Sequence, residues 1–438
     1  MEKQISIRRP ELLVPASSLE VLKTAVMFGA DAVYIGGEAF SLRAKAKNFS
    51  PEEMKEGIEF AHAHHVAVHV TANILAHNYD LEQAAAYFRE LKALGPDALI
   101  IADPGMVMLA KEHCPDIPIH ISTQANNTNY MTYRFWYDQG IRRVVSAREL
   151  SLREIRQIRE QIPADMEIES FIHGAMCISY SGRCLLSNYF TGRDANRGAC
   201  THPCRWKYAL MEESREGEYL PVFENERGTY IFNSKDLCMI EHIPEMIDAG
   251  IDSFKIEGRM KTALYVATVA RTYRKAIDAA LASGEAYEQI LPWCRKQISQ
   301  CTYRQFTTGF YFGKTDEHTQ IYENNTYERE AVYLGIVEQA LSLLQLSESE
   351  ARDALLAKGA VDPDTCCAAA ITQRNKFCVG DRIEIMKPDG RDVECEVIAF
   401  INEEGKLQES APHAKQQLLV VLSQPVAVYD LLRKPAGT

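Results

Sequence analysis

Residues 11–37, ELLVPASSLEVLKTAVMFGADAVYIGG, contain one complete strand-helix-strand unit. The apolar runs at 12–15 and 32–35 are short and continuous, whereas residues 18–28 between them have the apolar spacing of a helix. The second run ends in Gly36 and Gly37, which mark a loop. This stretch predicts a βαβ unit, in which a helix joins two parallel strands.

The same alternation continues through the first two thirds of the chain. Six further apolar runs lie at 66–70, 98–101, 119–121, 143–146, 167–172 and 253–256. Such continuous runs are typical of parallel strands that are covered on both faces. Eight strands predict an α/β fold, a (β/α)8 TIM-like barrel. A doubly wound open sheet would give similar local patterns, but the number of strands favours the barrel.

The periodicity changes towards the C-terminus. Runs at 332–338, 377–385, 394–400 and 418–422 alternate or are rich in β-branched residues, which predicts a small β-barrel domain. We therefore predict a TIM-like barrel over 1–285 with a cysteine-rich insertion at 174–235, a helical linker region over 286–326, and a C-terminal β-barrel over 327–438. A helical pattern at 339–370 is interpreted as an insertion into that second barrel.

Five of the twelve cysteines lie between Glu169 and Cys238. They are Cys177, Cys184, Cys200, Cys204 and Cys238. Disulfide scaffolds are short and rich in loops, whereas this chain has long regular elements, so a reducing compartment and a bound metal are the better interpretation. The spacing alone does not separate an iron-sulfur cluster from zinc, and a set of inert buried thiols stays an alternative.

Charge and hydropathy limit the partners. The net charge of −12 argues against a uniformly basic nucleic-acid binder, but local charge matters more for binding. Between Cys177 and Tyr208 there are five basic residues and one acidic residue, Asp194. No apolar run approaches the roughly 18 residues that span a bilayer, so we expect a cytoplasmic protein with no membrane partner.

Polar residues follow the predicted strands at the end where a barrel has its active face. They are Thr71, Asn73, Asp103, Ser122, Gln124, Arg148, Glu169, His173, Lys255, Glu257 and Arg259. Arginine and lysine in such a position bind carboxylates or phosphates, arginine through a bidentate fork. Any one of these residues has a structural salt bridge or loop contact as its simpler explanation. As a set they predict a site for a small anionic ligand.

The cysteine-rich segment resembles the U32 peptidase family. The residues that match its signature are Glu169, Phe171, Gly174, Ala175, Cys177, Gly182, Cys184 and Ser187. The resemblance also favours the barrel, and it implies a 4Fe-4S cluster on Cys177, Cys184, Cys200 and Cys238, with Cys204 as an alternative ligand. The other seven cysteines are assigned no function.

The stretches 193–200, 204–208, 233–240 and 252–261 are similar to one branch of this family. That branch makes 5-hydroxyuridine at the wobble position of tRNA, with prephenate as co-substrate. The resemblance therefore implies a tRNA partner and substrate-binding roles for Gln124, Glu169, His173, Arg193, Arg197, Lys255, Glu257 and Arg259. Trp206, Tyr208 and Tyr180 are candidate surfaces for base stacking. The catalytic base and the oligomeric state are not readable from the sequence.

Two other functions compete with RNA hydroxylation. The family's label suggests a collagenase-like protease, yet the chain has no His-Glu-x-x-His helix and no Gly-x-Ser-x-Gly elbow. A cysteine that ligates a cluster is also not available as a nucleophile. The third function is a non-catalytic scaffold that binds a cluster.

Overall fold

The computed structural model describes most of the chain. The described residues are 9–41, 48–176, 186–193, 195, 200–201, 203, 224–225, 228–229, 235–303, 305–313, 328–329, 331–346, 350–358, 362–365 and 367–435. The chain forms two compact units, residues 1–297 with 303–328 and residues 298–302 with 329–438.

Eight parallel strands of the first unit close into a barrel. Seven come first in the chain: β1 (Glu11–Pro15), β2 (Ala32–Gly36), β3 (Ala67–Ala72), β4 (Ala98–Ile101), β5 (Ile119–Ile121), β6 (Arg143–Val145) and β7 (Glu167–Ala175). After β8 (Asp236–Cys238), the strand β9 (Ser253–Ile256) pairs with both β1 and β7 and closes the ring. The predicted TIM-like barrel is confirmed, and the open sheet is excluded.

Helices surround the barrel. They are α1 (Leu19–Met27), α2 (Pro51–Ala63), α3 (Asn78–Leu94), α4 (Pro104–His113), α5 (Tyr130–Asp138), α6 (Leu152–Gln161), α7 (Leu186–Thr191), α8 (Ile243–Asp248), α9 (Ala263–Ala282) and α10 (Gly284–Ser299). Local sequence fixes where several of them begin, because Ser50 with Glu53 and Ser151 with Glu154 form capping boxes. The helix predicted at 18–28 is confirmed.

The cysteine-rich insertion leaves and rejoins the barrel beside β7. β8 runs antiparallel to the end of β7, with Asp236 opposite Ala175 and Cys238 opposite His173. β10 (Phe306–Thr307) adds to the other edge of β8. The insertion therefore begins and ends at the carboxyl end of a barrel strand, on the side where TIM-like barrels place their active sites.

The second unit is a closed antiparallel barrel of six strands. They are β11 (Ala331–Leu341), β12 (Ala368–Thr372), β13 (Arg382–Met386), β14 (Asp392–Ile401), β16 (Gln417–Leu422) and β17 (Leu431–Pro435), and β15 (Leu407–Gln408) pairs with the end of β14. Their order is β13-β17-β11-β12-β16-β14, and β14 pairs again with β13. The predicted small C-terminal β-barrel is confirmed.

The excursion inside this barrel is shorter than the predicted insertion at 339–370. Residues 339–341 belong to β11 and residues 368–370 belong to β12, and α11 (Glu350–Lys358) lies in the connection between them. Sequence reasoning missed β12 because its sequence, AAAIT, is rich in alanine, a residue that is depleted in strands. All five of its residues nevertheless pair with β16, and four of them also pair with β11.

Candidate active site

A polar cleft lies at the carboxyl ends of the strands of the first barrel. Its walls are Tyr34, Thr71, Asn73, Ile100, Ser122, Thr123, Gln124, Val145, Arg148, Phe171, Lys255, Glu257 and Arg259. Among the residues that the sequence assigned to substrate, the structure brings Gln124, Lys255, Glu257 and Arg259 together here. The predicted strand-end residues Thr71, Asn73, Ser122 and Arg148 share the cleft with them.

Two of the three cations in the walls are paired with carboxylates. Arg148 donates from Nη2 to Oε2 of Glu257 at 2.7 Å, and its guanidinium lies 4.0 Å from the centre of the Phe171 ring. Lys255 Nζ donates to Oε1 of Glu169 at 2.6 Å. These contacts fix the positions of both cations before a ligand arrives, so little side-chain entropy is lost on binding.

The third cation, Arg259, is held by hydroxyl groups. Its Nη1 donates to Thr71 Oγ1 and its Nη2 donates to Ser41 Oγ, each at 2.5 Å. Gly36 makes room for this arrangement, because a Cβ atom there would lie 2.5 Å from Arg259 Nη1 and from Ser41 Oγ. Among the described residues, the walls contain three cations and one carboxylate, that of Glu257, so the cleft attracts anions.

The cleft is small. Its cavity volume is about 50 Å³, which leaves room for a few water molecules. A carboxylate group fits that volume. The geometry therefore suits the charged end of a small ligand.

Glu169 lies beneath the cleft and not in its walls. It is fully buried, and besides Lys255 it has Arg143 Nη1 at 3.6 Å. Arg143 also donates from Nη1 to Glu11 at 2.5 Å and from Nε to Glu167 at 2.7 Å. Glu169, predicted to bind substrate, therefore does not line the cleft but positions Lys255, which does.

Two histidines lie within this charged interior. His69 and His120 are buried, with their rings at 87° and 4.7 Å between centroids. Burial lowers the pKa of His69, and it lowers the pKa of His120 well below its ordinary value. Both rings are therefore neutral at physiological pH in the folded protein.

We expect the first unit to lose stability as pH falls below about 6.5, because unfolding allows both histidines to bind protons. Each histidine should lower the free energy of unfolding by up to about 1.4 kcal/mol per pH unit. The full free energy of unfolding is expected above the pKa that the histidines have in the unfolded chain. Urea unfolding of His120→Gln from pH 7.5 to 5 should show a shallower slope than that of the wild type. His64→Gln, which removes an exposed histidine, is the control. Equal slopes for His120→Gln and the wild type would contradict this assignment.

His173 does not reach the cleft. It is buried among the rings of Tyr265, Tyr273 and Phe306, and its Nδ1 lies 3.3 Å from the Tyr273 hydroxyl. Burial lowers the pKa of His173 to about 3. It is therefore neutral near pH 7, and its place is beside the cysteine-rich segment.

Cys238 is the candidate cluster ligand whose surroundings are clearest. Its Sγ lies 3.7 Å from the Tyr273 hydroxyl, which donates to the Ile172 carbonyl and accepts from the Met239 amide. Burial raises the pKa of the Cys238 thiol to about 11. A bound metal would favour the thiolate against this burial.

The remaining candidate ligands are partly outside the described residues. Cys200 is described and half-buried, whereas Cys177, Cys184 and Cys204 are not described. Among the described residues, no three His, Cys, Asp or Glu side chains converge as a metal site. β8 places Cys238 opposite His173 of β7, a residue four positions before Cys177 in the sequence. Thiol donors are the ligand type that an iron-sulfur cluster takes.

Other predicted residues have different positions. Asp103 caps α4, with its Oδ1 accepting from the Met106 amide at 3.1 Å, so it serves the helix and not the cleft. Arg193 is exposed, two residues after α7. Arg197 and the candidate stacking residues Trp206, Tyr208 and Tyr180 lie outside the described residues.

Sequence reasoning missed several residues of the site. Tyr34 and Phe171 lie inside apolar runs, where their inward direction follows only from the barrel geometry. Ser41 is in a loop, and nothing in its surroundings marks it as a partner of Arg259. Tyr273 lies on α9, and it meets Cys238 only through the fold.

Comparison with known proteins identifies the family. The model of peptidase family U32 matches residues 17–321, and the model of the U32 C-terminal domain matches residues 358–433. The chain belongs to peptidase family U32. In this U32 protein the first match covers most of the TIM-like barrel, and the second covers most of the antiparallel barrel.

Three relatives of this U32 protein have curated names. The tRNA hydroxylation protein P1 of Bacillus subtilis (strain 168) is 37% identical over 99% of this chain and 96% of its own length. The tRNA hydroxylation protein P of Escherichia coli (strain K12) is 39% identical over 87% of each chain. The 23S rRNA 5-hydroxycytidine C2501 synthase of the same organism is 39% identical over 63% of this chain and 40% of its own length.

In the described part of this U32 protein, no helix is both long enough and apolar enough to cross a bilayer.

Proposed function

We propose that this protein is an RNA hydroxylase that converts a uridine of tRNA to 5-hydroxyuridine at the wobble position. The observation that carries the proposal is the likeness, over 99% of this chain, to a relative named for tRNA hydroxylation. A relative named for a 5-hydroxycytidine in 23S rRNA supports the same type of chemistry, oxygen addition to a pyrimidine of RNA.

The cleft supports an anionic co-substrate, for which we propose prephenate. Its two carboxylates match a site with Arg148, Lys255 and Arg259 in the walls. The small volume suits one carboxylate at the floor, so that the rest of the molecule points out of the mouth. The uridine then approaches from outside and meets the exposed part of the co-substrate.

The cysteine-rich segment supports a 4Fe-4S cluster. Cys177, Cys184, Cys200 and Cys238 would hold it, with Cys204 as the alternative ligand. When bound, such a cluster supplies redox or Lewis-acid chemistry. Around Cys238, the Tyr273 hydroxyl and the neutral His173 would exclude water from the sulfur and fix its position.

Replacing each candidate ligand by serine should separate ligands from bystanders. Anaerobically purified Cys177→Ser, Cys184→Ser, Cys200→Ser and Cys238→Ser proteins are expected to lose most of their iron and sulfide, because serine is a poor ligand for a soft metal centre. Cys204→Ser should retain both, and so should Cys294→Ala, which changes a buried cysteine of α10. Iron that survives every serine substitution would refute the ligand assignment.

Proteolysis is the second candidate function, because the family carries the name of a peptidase. The experiment that separates the functions is nucleoside analysis of tRNA from cells that lack this protein and its paralogues. Loss of 5-hydroxyuridine, restored by the wild-type gene, supports the hydroxylase. Unchanged 5-hydroxyuridine together with altered peptide turnover supports the peptidase, and no change in either supports a scaffold that binds a cluster.

A further inference from the structure

Helix α7 turns its apolar side chains to the solvent. Leu186, Tyr189 and Phe190 are 36%, 81% and 45% exposed, and their spacing of three and four residues places them on one helix face. Ser187, in contrast, is completely buried. A surface helix of a globular protein normally has the reverse arrangement, with its apolar face inward. An apolar face turned to the solvent in this way is typical of a surface that binds a partner.

The polar residues of α7 hold the helix beside the cysteine-rich site. Ser187 Oγ accepts from the Thr201 amide at 3.0 Å, and Thr191 Oγ1 lies 3.3 Å from Thr201 Oγ1. Thr201 directly follows Cys200, one of the proposed cluster ligands. The exposed face of α7 thus lies within about one helix diameter, roughly 10 Å, of the chain at Cys200.

The two rings on this face leave a flat surface open. Tyr189 and Phe190 meet edge to face, at 81° and 5.2 Å between centroids, so the Phe190 ring braces the Tyr189 ring. Most of the Tyr189 ring remains in contact with solvent. Unpaired nucleobases stack on aromatic rings of this kind, whereas paired bases are already stacked within their duplex.

The local charge favours a polyanion as the partner. Arg193 is exposed two residues after α7. In the sequence, residues 177–208 contain Arg183, Arg193, Arg197, Arg205 and Lys207 but only one acid, Asp194, in a chain whose net charge is −12. This positive charge would not strengthen binding of an apolar protein surface. It would strengthen binding of a nucleic acid, because its phosphates are negatively charged.

We infer that the face formed by Leu186, Tyr189 and Phe190 binds single-stranded RNA by stacking unpaired bases next to the target uridine. This inference rests on the proposed function, because it takes RNA as the substrate. The stacked bases would hold the RNA strand close to Cys200 while the target nucleotide reaches the mouth of the barrel. Base contact on α7 would thus contribute affinity for the loop, and the cleft would contribute affinity for the co-substrate.

The test compares binding of a fluorescein-labelled anticodon stem-loop with binding of a blunt RNA duplex of the same stem. For Tyr189→Ala with Phe190→Ala, we expect the dissociation constant for the stem-loop to rise at least fivefold, a rough lower limit for loss of one stacked base. Binding of the duplex should be unchanged. Tyr189→Phe should bind as the wild type does, because the ring does the stacking. Phe135→Ala, which removes an exposed ring from α5, is the matched control.

The outcomes separate this inference from the proposed function. If the wild-type protein binds the stem-loop and the double variant binds it equally well, the inference is wrong and the proposed function stands. If the wild-type protein binds neither RNA, the proposed function itself fails. If the double variant loses affinity equally for the stem-loop and for the duplex, the inference that unpaired bases stack on this face is wrong. A change in self-association on sedimentation, with RNA binding unchanged, would instead assign the face to a protein contact.

Discussion

Glu169→Gln is expected to lower the free energy of unfolding of the first unit by about 3–5 kcal/mol. The Glu169 carboxylate is fully buried and lies 2.6 Å from the Lys255 ammonium. Glutamine keeps the shape of the side chain but removes the charge, so a buried ammonium loses the counterion beside it. Urea unfolding followed by circular dichroism measures the change.

Glu167→Gln is the matched control for this prediction. Glu167 also pairs with Arg143, at 2.7 Å, but a third of its side chain is exposed, so its loss should cost less than about 1 kcal/mol. The double change Glu169→Gln with Lys255→Met should recover part of the stability, because it removes the unpaired charge as well. Equal unfolding midpoints for Glu169→Gln and Glu167→Gln would show that the buried pair does not stabilise the barrel.

Arg148→Gln is expected to raise the KM for prephenate about 10- to 100-fold. A hydrogen bond to a charged group contributes about 1.5–3 kcal/mol, and Arg148 is fixed by Glu257 and Phe171 to offer such bonds in the cleft. Arg148→Lys should give an intermediate KM, because it keeps the charge but loses the planar fork. Initial rates of 5-hydroxyuridine formation at varied prephenate concentration measure the effect.

Arg153→Gln serves as the control for Arg148→Gln. Arg153 is exposed on α6, five residues along the chain from Arg148, and its loss should leave KM unchanged. A KM for Arg148→Gln within twofold of the wild type would mean that the anion binds elsewhere.

The barrel strands were predictable because parallel strands that are buried on both faces leave continuous apolar runs, as at 98–101. The cleft residues were predictable for a related reason, since polar residues such as Gln124 and Arg148 follow directly after those runs. What the sequence did not reveal is which polar side chains turn inward. The strand pattern predicts that Glu169 and Lys255 lie on barrel strands. It does not predict that Glu169 holds Lys255 from beneath the cleft, because that contact forms only when the ring of strands closes.

The charged interior was not expected from the pattern. Barrel interiors are usually filled by branched apolar side chains. For that reason the sequence did not indicate that His69, His120 and Arg143 lie inside the barrel. Asp103 was misplaced for a local reason. Its position before Pro104 marks a helix N-cap as well as a strand end, and the cap interaction with Met106 prevails. The contact of Tyr273 with Cys238 joins residues 35 positions apart and depends on how α9 packs.

Reconstitution of the reaction tests the central claim most directly. Anaerobically purified protein with its iron content measured would be mixed with prephenate and with tRNA from cells lacking this protein and its paralogues. We expect 5-hydroxyuridine to form only when prephenate is present, and we expect Arg148→Gln to slow its formation. Iron-loaded protein that leaves this tRNA unmodified at saturating prephenate would contradict the account.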